Sequence, residues 1–223
     1  MLMFSSPFSR AYWRAAAREL KDTRMLIWAA LTVALRVALK SVYIPVGENL
    51  NIMIYFLPNA LGSLVYGPIM ALLTGAASDL LGVMLFPRGP FFPPFTLVEM
   101  LSSLLFALFL YRAPLKLWRV AVSKLAVNIG CNILLTPLFL AWMSGKAAVL
   151  TSLPRIAKNV LLFPLESLLL ALLLGAMLPV LTRTRLVPGE QTALKLSARH
   201  YALLGALFVV SVASVFLYIR FFL

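Results

Sequence analysis

Apolar residues gather into long blocks at roughly 25–46, 51–66, 68–86, 94–111, 118–143 and 155–182, with a further block at 200–222. A helix needs about 20 such residues to cross a bilayer core, and the blocks lack the period-two alternation of a membrane strand. Turn residues separate them, in "VGEN", "YGP", "FPRGPFFPP", "YRAPLK", "SGKAAVLTSLP" and "RTRLVPGEQT". The pattern predicts an all-α, polytopic membrane helix bundle of six helices, with a seventh added at the C-terminus. Ahead of the first block, "SSPFSRAYWRAAARELKDTR" sets Tyr12, Trp13, Ala16 and Leu20 on one side of a helix and Arg10, Arg14, Arg18 and Lys21 largely on the other. That spacing predicts a basic amphipathic helix on the membrane surface. The expected division is an amphipathic segment at 1–24, a six-helix membrane domain at 25–182, a basic linker at 183–199 and an additional helix at 200–223.

Composition agrees. With 62% hydrophobic residues and a mean hydropathy of +0.97, the chain cannot cover itself with polar surface. The net charge of +13 reads as topology rather than as a nucleic-acid surface, because the cations cluster in short segments beside the blocks. Arg10, Arg14, Arg18, Lys21 and Arg24 form one cluster, Arg112, Lys116, Arg119 and Lys124 a second, and Arg183, Arg185, Lys195 and Arg199 a third. Retention of such clusters inside predicts a cytoplasmic N-terminus, outward loops near 47, 88 and 148, and an outer C-terminus. No cleavage site follows a short apolar stretch, so the first block is expected to be a retained helix. The single cysteine, Cys131, allows no internal disulfide and no paired-thiol metal site. His200 lies far from it, and no HExxH or glycine-rich phosphate loop occurs, so no catalytic residue, cofactor or metal is expected. Active transport would then need an energising partner.

Several polar residues sit where lipid gives them no reason to be. Arg36, Lys40, Arg88, Lys146, Arg155 and Lys158 map to the outer half, against the topology signal. They fit either a site for an anionic solute or snorkelling to headgroups. Asp79 lies deep in a block, where a carboxylate costs roughly 2.5–3.5 kcal/mol, and Gly75, Ala76 and Gly82 share its face. A ligand or an ion pair with Arg36 would compensate it. Arg155, Asn159, Leu162 and Glu166 form one helical stripe with Lys158 beside it, and Pro164 loosens that helix. Asn128 and Asn132, four apart on the preceding helix, supply a second polar face that either lines a cavity or simply hydrogen-bonds across. In "LFPRGPFFPPFTLVEM" prolines 87, 90, 93 and 94 stiffen the loop holding Arg88, Phe91, Phe92 and Phe95. Aromatic faces suit a planar heterocycle and an arginine a carboxylate; an interfacial aromatic anchor is the other reading. Ala30, Ala34 and Ala38 recur every four residues, giving a smooth face for internal packing or for external docking.

The segments "YWRAAARELKDTRMLIWAALTVALRVAL", "FLPNALGSLVYGPIMALLTGAASDLLGVMLFPRGPFFPPFTL" and "LPRIAKNVLLFP" are similar to the substrate-binding S components of energy-coupling factor (ECF) vitamin transporters, and among these to the folate-specific branch. The resemblance runs from about residue 10 to 182. It implies a six-helix subunit of a bacterial cell membrane that captures folate at the outer face. It also implies that an alanine-rich first helix, here Ala30, Ala34 and Ala38, docks on a transmembrane T component with two ATPases. An S component for another heteroaromatic vitamin is the alternative, and a membrane-embedded transferase a more distant one. The block at 200–222 and the proline in "PFFPPF" depart from the usual pattern.

Overall fold

Ser9 opens α1 (Arg10–Glu19), its side-chain oxygen accepting from the Tyr12 backbone N–H, and Asp22 caps α2 (Thr23–Ser41) in the same way. The computed structural model describes residues 7, 9–47, 50–87, 91–144, 152–188 and 198–222. A β-hairpin follows α2, with β1 (Tyr43–Gly47) antiparallel to β2 (Leu50–Met53) and Tyr43 opposite Met53. The first apolar block therefore leaves the helix at Ser41 rather than at 46, and the second becomes helical only at Phe56. Val42, Tyr43, Ile44 and Val46 are residues that favour extended backbone, and Pro45 both lacks a donor and pushes Ile44 out of the helical region.

The next helix, α3 (Phe56–Leu85), is interrupted at Gly67, whose φ of +79° a side chain tolerates poorly. Pro68 then begins the second arm, a position where its missing N–H is no loss. The arms double back on each other. Residues 62 and 74 would lie about 18 Å apart in a straight helix. Here the Tyr66 hydroxyl is 3.0 Å from Thr74 Oγ1, and a methyl added to Gly62 would fall 2.5 Å from that same hydroxyl. The break expected at "YGP" is thus a reversal, and the blocks read at 51–66 and 68–86 are its two limbs.

Helix α4 (Pro93–Leu110) packs against α3, and α5 (Leu117–Val127) continues through a π-helical stretch (Asn128–Leu135) into α6 (Thr136–Ser144). Helix α7 (Ser152–Arg183) packs on the α5 rod, and α8 (Ala198–Phe222) packs on α7. Among the described residues, Pro93–Leu110, Leu117–Met143 and Arg155–Arg183 are long and apolar enough to cross a membrane, and Phe56–Leu85 has that length and composition summed over its two limbs. The chain is a multi-pass, all-α membrane bundle with one small hairpin. Two ends can be distinguished, one carrying the hairpin and the other carrying α1 and the Gly67 reversal.

At the α1 end, Tyr12 and Ala16 are buried with Tyr111 against Ile69 and Leu108. The Tyr12 hydroxyl donates to the Ala107 carbonyl at 3.1 Å, and Glu19 accepts from the Tyr111 hydroxyl at 2.9 Å and from Arg112 at 2.6 Å. Burial, and then the Glu19 carboxylate, push the Tyr111 phenol well above its ordinary pKa, so it remains a donor. This corrects the expected amphipathic face. The buried side of α1 faces the bundle and includes Glu19, whereas Trp13 is exposed and Leu20 only half-buried.

Gly67 generates a test of the reversal. A methyl there would fall 2.9 Å from the Tyr111 ring on top of the left-handed backbone, so Gly67→Ala should cost about 1–3 kcal/mol and lower the unfolding temperature in detergent. At Gly130 the nearest atom would be 3.8 Å away, and Gly130→Ala should stay within about 1 kcal/mol of the parent. Equal behaviour of the two variants would contradict this account of the turn.

Candidate functional site

Toward the hairpin end the bundle encloses a polar cavity of about 310 Å³. Its walls come from Tyr55 and Asp79 on or beside α3, Phe95 and Glu99 on α4, Lys124 on α5, Asn132 in the π-helical stretch, and Arg155, Lys158, Asn159 and Glu166 on α7. An adjoining, more apolar chamber of about 410 Å³ shares Tyr55, Asp79, Phe95 and Glu99, includes Lys40, and extends past Val83, Phe86, Leu140 and Met143. Counting backward along α7, Arg155 lies about 16 Å above Glu166 at 1.5 Å per residue, so the cavity is long rather than round.

Each carboxylate in this cavity has cationic company. Glu99 pairs with Arg36 at 2.8 Å and with Lys40 at 3.3 Å; Asp79 pairs with the same Lys40 at 3.2 Å and accepts from the Thr96 hydroxyl at 2.8 Å. Glu166 pairs with Lys124 at 3.1 Å and accepts from Asn128 at 3.3 Å. Arg36 is fully buried, and its second nitrogen donates to Ser103 at 3.1 Å; Ser103 in turn donates to Asn59 at 2.8 Å. Lys124 is also buried, with its ammonium 4.0 Å from the centre of the Phe56 ring.

The helix periods explain how these groups meet. On α7 the polar stripe of Arg155, Asn159 and Glu166 faces α5, and the Asn132 amide donates to Asn159 Oδ1 at 3.0 Å and to Asn128 Oδ1 at 3.2 Å. Asn128 donates to the Asn159 carbonyl at 3.3 Å. The π-helical turn lies in this wall and widens the register locally, with Thr136 donating back to the Cys131 carbonyl at 2.7 Å. On α3, Gly75 brings α4 close, since a methyl there would fall 2.8 Å from Met100 Cα. The two helices therefore set Asp79 and Glu99 side by side.

Of the residues singled out in the sequence, Asp79, Phe95, Asn132, Arg155, Lys158, Asn159 and Glu166 all line the cavity. Arg36 stands behind it as the partner of Glu99; the ion pair considered for Asp79 is made by Lys40 instead. Phe92 packs edge-on against Phe95 and Trp142, each with centroids 5.6 Å apart, while Phe91 is exposed. Arg88 and Lys146 lie outside the described residues. Ala30, Ala34 and Ala38 are exposed on α2, with Leu31 and Leu35 exposed beside them. Sequence reading missed Tyr55 and Glu99 as cavity residues and placed Lys124 in a loop cluster, whereas it is buried within α5.

Arg155 differs from the other cations. Among the described residues no carboxylate lies within ion-pair distance of it, while its buried Nε, like that of Arg36, has no hydrogen-bond partner. Around the cavity, Arg36, Lys40, Lys124, Arg155 and Lys158 face three carboxylates, Asp79, Glu99 and Glu166, which leaves two positive charges in excess.

Comparison with known proteins places this geometry in a family. The family model for the S component of ECF-type riboflavin transporters matches residues 21–185, which ends before α8. A folate transporter FolT from Clostridium novyi (strain NT) is 27% identical over 154 residues, covering 68% of this chain and 88% of that protein. A second FolT, from Leuconostoc mesenteroides subsp. mesenteroides, is 31% identical over 154 residues, 65% of this chain and 81% of its own. The crystal structure of FolT bound with folic acid superposes with a TM-score of 0.59 at 30% identity, covering 65% of this chain and 88% of the other. The chain is a transporter subunit rather than an enzyme, and it belongs to the substrate-binding S components of ECF-type transporters.

Proposed function

We propose that this S component captures folate. The observation that carries the reading is the excess of two positive charges around a long cavity that otherwise balances its own ions. Folate joins a flat pteridine to a tail with two carboxylates, so a wall with a net charge of two positive matches its charge, whereas riboflavin carries no carboxylate. The FolT relatives and the folic acid complex of one of them support the same choice. Arg155 and Lys158, near the hairpin end of α7, meet the tail; Phe95 and the Asn132, Asn159 and Glu166 group meet the ring system, with Asp79 in the same wall. Phe91 and Phe92 close the mouth, Phe92 through its packing on Phe95 and Trp142.

In this reading the hairpin end faces outward and the α1 end faces the cytoplasm, as the lysine and arginine clusters of the sequence indicate. The exposed alanines of α2 form the face on which a T component packs, and the T component brings two ATPases. Helix α8 packs on α7, and α2 on α3, so α8 adds a span without taking the place of that face.

Three measurements follow. Calorimetry on ligand-stripped protein should give a clear folate titration without ATP and no heat with riboflavin; riboflavin binding with no response to folate would overturn the assignment. Arg155→Met should weaken folate about tenfold or more, because a charge-assisted hydrogen bond contributes roughly 1.5–3 kcal/mol, while a pterin lacking the tail binds as before. Equal losses for both ligands would remove Arg155 from the tail site. Ala34→Trp should bind folate normally yet fail in uptake and in co-purification with the ATPases, since close helix approach in lipid depends on small residues. Loss of binding with assembly intact would place the stripe inside the bundle.

A further inference from the structure

We propose that Lys40 is a positioning residue that keeps the cavity receptive to an anionic ligand by holding Asp79 and Glu99 ionised and neutralised together; the proposal rests on the folate reading above. One ammonium serves both acids. Lys40 Nζ lies 3.2 Å from Asp79 Oδ1 and 3.3 Å from Glu99 Oε1, legs that put the two oxygens at most 6.5 Å apart. It also donates to the Ser78 carbonyl at 3.4 Å and stands 5.5 Å from the centre of the Tyr55 ring. The lysine comes from α2, the acids from α3 and α4, so the contact ties three helices at the cavity wall. Its stem runs over Gly82, where an added methyl would fall 3.0 Å from Lys40 Cδ. The glycine gives the side chain its track. An arginine already occupies Glu99 Oε2, so Arg36 is committed to one acid and cannot replace the bridge.

Remove the bridge and the cluster of Arg36, Asp79 and Glu99 carries a net negative charge beside the cavity. Arg36 offsets only one of these two neighbouring carboxylates, so in a low-dielectric wall the pair takes up a proton as pH falls. Tyr55 faces the same pair, while Lys124, Arg155, Lys158 and Glu166 face it across the cavity; of these only Glu166 adds negative charge, and Lys124 already pairs with it. Folate keeps both carboxylates ionised throughout, since ordinary carboxyl groups titrate near pH 4. The sign follows directly. In Lys40→Met the acid pair keeps one negative charge that Arg36 does not offset and repels folate at high pH; at lower pH a proton taken up by the pair substitutes for the lysine and binding recovers.

The test is folate affinity of ligand-stripped protein between about pH 5.5 and pH 8, a range well above the unperturbed carboxyl pKa. Wild type should be nearly flat, Lys40→Met about tenfold or more weaker at the upper end and recovering toward wild type at the lower, and Lys40→Arg close to wild type throughout. A Lys40→Met profile parallel to wild type would overturn the proposal. Infrared spectra of the unliganded proteins give a folate-independent reading: a protonated-carboxyl band that titrates in Lys40→Met and is missing from wild type over that range. Its absence from the variant would also overturn the role. Should Lys40→Met not fold, Gly82→Ala, which crowds the lysine stem, should show the same pH trend at smaller amplitude, and a flat profile there counts against the proposal. Failure of wild type to bind folate at all would instead refute the folate reading, a result distinct from any failure confined to the variants.

Discussion

A guanidinium with no solvent exposure lies inside a helix bundle built for lipid, and much of the rest of the site depends on how it is compensated. Arg36 is held by Glu99 at 2.8 Å and by a hydroxyl relay through Ser103 to Asn59, which joins α2, α3 and α4 in one polar seam. A buried ion pair of this kind is weak grounds for net stability, because desolvation offsets much of the attraction. Losing one member is another matter, since it strands a charge in a medium that cannot solvate it, at roughly 3–5 kcal/mol. The seam therefore fixes geometry more than it adds stability: once Arg36 and Glu99 are paired, the position of α4 against α2 is set, and Lys40 and Asp79 follow one turn nearer the hairpin.

Small residues make that seam possible. Gly75 lets the α4 backbone approach α3, Gly62 makes room for Tyr66 and Thr32, and Gly82 admits the Lys40 stem. In lipid, close backbone approach is a main source of helix association, and it also brings polar groups within reach of one another. At the far end Tyr111 performs a comparable service, stacking over Gly67 and bonding Glu19, so the α3 reversal and α1 are fastened by one side chain. The architecture is thus tied at both ends, by ions around the cavity and by a tyrosine-centred cluster at the α1 end.

Much of the site could be read from helical spacing alone. Asp79 stood out because a carboxylate in an apolar block needs a partner, and the α7 stripe because Arg155, Asn159 and Glu166 share a face. The break at "YGP" was legible from its glycine and proline. Other features left weaker signals. Glu99 sits three residues from Thr96 and Ser102 and four from Ser103, a polar face on α4 that was there to be used but was masked by the proline-rich loop just before it. Lys124 looked like one more cation beside a loop, and only the packing of α5 on α7 shows it facing Glu166. The β-hairpin was hidden because its residues are as apolar as a helix; their branching, and Pro45, were the available clues. The π-helical turn adds a backbone register change that no residue in "NIGCNILL" announces.

The central claim is that buried charges which balance one another form the frame, and that the excess positive charge is there for the ligand. An experimental structure of the protein with folate bound tests it most directly. The account predicts that the Arg36–Glu99 and Lys124–Glu166 pairs persist and that the two ligand carboxylates come within ion-pair distance of Arg155 and Lys158. Carboxylates left in solvent with Arg155 turned away, or a ligand that takes Arg36 from Glu99, would contradict it.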